Sequence, residues 1–183
     1  MDDTTRSHWN NLRSDDGDVR YAAFMALLAI TDQPVDWAYE VWNELLANLH
    51  HPNNHQRAIA AQLLCNLAKS DPEQRMLRDF DALFAVTRDE RFVSARHSLQ
   101  AIWKVALAGK QHQQLVVDQL ASRFRACVTE KNATLIRYDI SEDLRKLYDV
   151  VRDETIRETA LALIATEEDS TYRKKYAGVW RVT

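Results

Sequence analysis

Glycine and proline are scarce in this chain, three of each in 183 residues. Sheets and loop-rich folds depend on such punctuation, so the scarcity excludes them and points to a chain that is almost wholly helical. Cysteine is scarcer still, with Cys65 and Cys127 the only two. Each lies among apolar residues at helical spacing, which argues against a disulfide framework and for two buried, reduced thiols. Long hydrophobic runs are missing too. The uncharged stretch from Tyr21 to Ile30 is half of what a bilayer span needs. The chain opens on Asp2 and Asp3 without an apolar signal region, so a cytoplasmic location without a membrane contact is expected.

No charge of one sign dominates. The 24 basic and 27 acidic side chains leave a net charge of −3, which argues against general nucleic-acid affinity. The distribution is uneven. Residues 1–51 carry three basic and nine acidic side chains, residues 52–130 eleven and eight, and residues 131–183 ten and ten. An acidic first quarter repels anions or attracts a basic partner. The chemical motifs are absent as well. There is no Gly-rich phosphate loop, no Ser-His-Asp ordering and no Cys-His nucleophile pair. No catalytic residue and no cofactor is therefore assigned.

What the sequence does have is a repeat. Arginine stands at 20, 57, 96 and 137. Three residues on come Ala23, Ala60, Leu99 and Ile140; seven on, Leu27, Leu64, Trp103 and Leu144; ten on, Ile30, Leu67, Ala106 and Leu147. The intervals are 37, 39 and 41 residues. A period of that size means stacked helix pairs, because one pair cannot cover its own apolar face. The expected helices are 6–14, 18–31, 35–50, 54–69, 72–87, 91–108, 111–129, 133–150, 153–167 and 170–178, joined by turns of two to five residues. Asp15-Asp16-Gly17-Asp18 supplies N-cap candidates, and Ser70-Asp71-Pro72 reads as a helix start. Ile156, Arg157, Ala160 and Ile164 repeat the pattern in part, as the first helix of a closing pair.

These residues, above all Asp18-Val19-Arg20 with Ala23, Leu27 and Ile30, resemble a HEAT-repeat protein of the short bacterial and archaeal kind. Weaker matches are Gln56-Arg57, Ala95-Arg96 and Ile136-Arg137. The resemblance implies a right-handed all-α solenoid, one domain of about five helix pairs (6–31, 35–69, 72–108, 111–150 and 153–180). It implies that second helices line a concave face and that the repeated arginines join acidic partners in a ladder between repeats. It also implies an interaction scaffold without catalysis. Two alternatives found among HEAT-like proteins are a DNA glycosylase for alkylated bases and a chromophore-lyase-like maturation accessory.

Beside the buried stripe, offsets 0, +1, +4 and +8 from each arginine form a second one. Its candidate partner-binding residues are Arg20, Tyr21, Arg57, Arg96, His97, Gln100, Lys104, Arg137, Tyr138 and Arg145. The arginines are either the internal ladder or an anion-binding stripe. The end nearer the C-terminus is the more basic, and a peptide or acidic segment is expected there. His50, His51 and His55 resemble metal ligands, but adjacent side chains diverge on a helix and Pro52 breaks the geometry; a polar turn is expected and no metal. Glu167, Glu168 and Asp169 are expected as a solvated turn with Asp169 capping the last helix. Arg173, Lys174 and Lys175 are expected on the wet face of that helix, with Tyr172, Tyr176 and Trp180 packing inward. Trp37, Trp42 and Trp103 fall in the apolar frame and are expected in the core.

Overall fold

The computed structural model describes residues 1–181, and every regular element among them is helical, with no strand. Two compact units divide the chain, Met1–Ser98 and Leu99–Thr183.

The first unit holds α1 (Asp3–Asn11), α2 (Gly17–Ile30), α3 (Ala38–Asn48), α4 (Asn54–Leu67), α5 (Arg75–Ala85) and most of α6 (Phe92–Leu99). Side-chain caps fix three of the starts. Asp2 accepts from the Thr5 N–H, Asp16 from those of Asp18 and Val19, and Asn53 from that of His55. α1 packs on α2 and α3 on α4; across pairs, α2 meets α4 and α3 meets α5. This is the layered pattern that a period near 40 residues requires. Leu27, Trp42 and Leu64 are fully buried at its centre. Trp42 donates its indole N–H to Asp79 at 3.0 Å, so the largest core side chain leaves no buried donor unmet.

The second unit contains a 3₁₀ segment (Ile102–Ala108), α7 (Lys110–Ala126), α8 (Ala133–Val151), α9 (Glu154–Ala165) and α10 (Ser170–Gly178). The 3₁₀ segment packs on α7 and α8; α7 meets α9, and α10 closes on α8 and α9. Ile140, Leu144 and Leu147 are buried on α8, and Tyr176 on α10 is fully enclosed. Asp169 caps α10 by accepting from Thr171 and Tyr172.

Several expectations need correction. The helix expected over 91–108 breaks after Leu99 and resumes as a 3₁₀ segment. A 3₁₀ turn advances 120° per residue against 100° for the α-helix, so the buried phase slips. Ile102, Val105 and Ala106 enter the core and Trp103 stands half-buried. Gly109 then turns the chain into α7 with φ of +146°, a conformation open to glycine. The start expected at Pro72 falls instead at Arg75, after Gln74 in the left-handed region. Asp71 still serves α5, accepting from the Met76 N–H at 2.7 Å. α3, expected from residue 35, starts at Ala38; ahead of it the Val35 N–H donates to Ser70 Oγ at 2.9 Å. Glu167 is buried and ion-paired, not solvated.

Candidate functional site

α2 is the most apolar helix in character and one of the least buried. Eleven of its fourteen residues are apolar, yet only Ala23 and Leu27 are buried. Tyr21 is 64% exposed, Met25 45% and Val19 39%. Arg20, Tyr21, Phe24, Met25 and Leu28 lie within about 140° of the helix circumference. They form one wall of a groove of about 600 Å³. α4 supplies His55, Ala58, Ile59 and Gln62, and α6 supplies Val93, Ser94 and His97. Val93 is 65% exposed.

The groove's frame is fixed by polar contacts beneath it. Asn54 Nδ2 donates to Ser94 Oγ at 2.9 Å, and that hydroxyl donates back to the Asn54 carbonyl, tying α4 to α6. Gln62 Nε2 donates to the Ala58 carbonyl at 3.1 Å. Arg20 Nη1 donates to the Ser14 carbonyl at 2.6 Å. Arg57 is a brace. Its guanidinium forks onto Asp89, with Nη2 to Oδ1 at 2.9 Å, and also donates to the His51 and Pro52 carbonyls. Asp89 is thereby held below the usual carboxylate range, Arg57 being the main cause.

The corresponding stripe of the second unit is closed on itself. Arg137 donates to Glu167 at 2.7 Å and to the Phe124 carbonyl at 3.1 Å, with its guanidinium 4.7 Å from the Phe124 ring. Gln100 Nε2 donates to buried Asp139 at 3.0 Å. Arg145 pairs with Asp149 at 2.8 Å and lies over the Trp180 ring. Lys175 sits over the Tyr138 ring, whose hydroxyl is pushed up in pKa by the Glu142 carboxylate it bonds. Asp143, one turn after Asp139, is fully buried; Lys146 Nζ stands 3.5 Å away, and neither carboxylate oxygen has a hydrogen-bond partner among the described residues. Burial pushes this carboxyl well above the ordinary range, Lys146 opposing and Asp139 adding to it.

Of the ten residues in the expected stripe, the structure brings Arg20, Tyr21 and His97 together in the open groove. Arg57 and Arg137 act as internal ion-pair struts. Gln100, Tyr138 and Arg145 are engaged within their own unit. Arg96 is half-buried on α6, and Lys104 is half-buried in the 3₁₀ segment. Met25, Val93 and His55 also line the groove and lie outside the expected stripe. The unbroken apolarity of α2 was the signal for Met25. Val93 and His55 carried none, since their place depends on how α4 and α6 approach α2. His51 does belong to a turn, its Nδ1 accepting from the Asn53 N–H.

No protein-family model matches the chain, and no curated protein matches it. Solved structures do. Two engineered proteins from a structural genomics consortium each match 98% of this chain at 15% identity and a TM-score of 0.51. The match covers 95% of one of them and 51% of the other. A designed armadillo repeat protein in complex with a (KR)4 peptide matches at 15% identity and a TM-score of 0.49, covering 98% of this chain and 88% of its own. At 15% identity the likeness to the two engineered proteins concerns the all-helical fold alone.

Proposed function

We propose that this chain is a non-catalytic interaction module of HEAT type, which holds a peptide segment of a protein partner in the groove formed by α2, α4 and α6. One observation carries the reading: a helix with eleven apolar residues out of fourteen buries two of them. A helix that is apolar all round is ordinarily covered all round, and a contiguous exposed apolar patch marks an interaction surface. Tyr21 and Phe24 offer broad rigid contact area, and Met25 adapts to what it meets. The rims, Tyr21 and Val93, stand about two-thirds exposed. The groove therefore covers one side of an occupant, which suits a chain segment better than an enclosed small molecule. The glycosylase alternative requires an acidic group beside its aromatics, and the groove's lining contains no Asp or Glu. Binding without chemistry is the better reading.

The test is affinity capture from the native host with the full chain, read by mass spectrometry. Tyr21→Ser/Met25→Ser is compared with Lys104→Glu/Arg145→Glu, each checked for retained helicity. The groove variant should lose a captured partner about tenfold or more, an interfacial hot-spot effect, while the other retains it. A partner lost only in the charge-reversal variant, or in neither, refutes the assignment.

A further inference from the structure

The charge of the groove says what kind of segment fits it. Its basic lining residues are Arg20, His55 and His97, and no carboxylate is among them. Of the acidic groups nearby in sequence, Asp15, Asp18 and Glu90 are exposed outside the lining, and Asp16 and Asp89 are occupied. Asp16 caps α2 by accepting from the Asp18 and Val19 N–H groups. Asp89 receives the Arg57 fork and the Arg91 N–H. Arg20 spends one amine on the Ser14 carbonyl, and its other N–H groups have no protein partner among the described residues. Gln62 and Ser94 complete the polar part of the lining.

We infer that the occupant is an amphipathic peptide segment of a partner protein. Its apolar side chains lie on Tyr21, Phe24, Met25 and Val93, and Asp or Glu side chains flanking them meet the Arg20 guanidinium and the N–H groups of His55 and His97. This rests on the groove being the binding site. The opposing consideration is long-range: residues 1–51 carry nine acidic side chains against three basic. That field is screened beyond about 8 Å at physiological ionic strength. Contact chemistry decides instead. A carboxylate entering the groove finds guanidinium and imidazole donors, and charge-assisted hydrogen bonds are the stronger class. A lysine or arginine entering the same space finds no carboxylate acceptor and meets the like charge of Arg20. The same asymmetry rejects basic segments, so the groove discriminates by a penalty as well as by a gain.

The experiment is selection of a random-peptide phage library on the full chain, with counter-selection on the folded Tyr21→Ser/Met25→Ser variant. Peptides that are groove-dependent, rich in Leu, Ile, Phe or Trp, and carry more Asp and Glu than Lys and Arg are the expected product. Chosen peptides are then titrated by fluorescence anisotropy against the wild type and against Arg20→Gln/His97→Gln. Affinity of the acidic peptides should fall about tenfold in that variant, while their Gln analogues bind both proteins alike. Groove-dependent peptides with no acidic excess, or with a basic one, overturn the inference and leave the groove reading standing. A selection that yields no groove-dependent peptide overturns both.

Discussion

Arg20 and Arg137 occupy the same place in the repeat and do opposite things. Arg137 is a half-buried strut, locked to Glu167 and to the Phe124 carbonyl. Arg20 rests on one backbone carbonyl at the lip of an open groove. The difference traces to the acceptor. Asp89 stands 32 residues after Arg57 and Glu167 stands 30 after Arg137, whereas the same interval after Arg20 falls on His50-His51-Pro52, which has no carboxylate. A repeat fixes where a side chain sits; the residue opposite decides whether it becomes scaffold or surface. The second unit has spent its polar stripe on internal pairs, and the first has left an apolar wall and a cation open.

The largest expected contrast is in stability. Arg137→Ala strands Glu167, whose side chain is 10% exposed, and should cost about 3 kcal/mol. Arg20→Ala gives up one partly exposed hydrogen bond and should cost about 1 kcal/mol or less. Equal losses in urea unfolding would erase the distinction.

A smaller effect of opposite sign is expected at Asp143. Unfolded, its carboxyl ionises near the ordinary value of 3.8; folded, burial holds the proton to higher pH. Folding then binds a proton, so this group's contribution to stability falls as pH rises above that ordinary value. Asp143→Asn removes the dependence and should stabilise the protein at neutral pH by about 1–2 kcal/mol. Stability profiles of the two proteins that run parallel from pH 4 to 7 would contradict the buried, proton-holding carboxyl.

The smallest effect is expected in the groove. Tyr21→Ser should change stability by about 0.5 kcal/mol or less, as surface changes do, while weakening peptide binding. A loss of several kcal/mol would make Tyr21 a core residue and the groove a packing defect.

The architecture was legible because helix burial is periodic. Leu27, Leu64 and Leu144 recur at the same offset and all are buried. Trp103 shares that offset and misses the core, because the α-helix gives way to 3₁₀ geometry just before it, a backbone change that no side-chain pattern announces. The candidate groove was legible in part. The stripe arithmetic reached Arg20, Tyr21 and His97, and local charge count pointed to the C-terminal end as the binding stretch. Counting basic residues does not reveal which are already paired. Gln100 with Asp139, Arg145 with Asp149 and Arg137 with Glu167 are settled by partners 4 to 39 residues away. Glu167 misled for the same reason, reading as part of an acidic turn while serving as the acceptor for Arg137.

Photo-crosslinking in the native host tests the contrast most directly. A benzophenone amino acid replaces Tyr21 in one protein and Tyr138 in another, and adducts are sized by immunoblot and identified by mass spectrometry. A discrete partner adduct from position 21, with none from position 138, is the expected result. Adducts from position 138 with none from position 21 would place the binding surface in the second unit and contradict the open-groove reading.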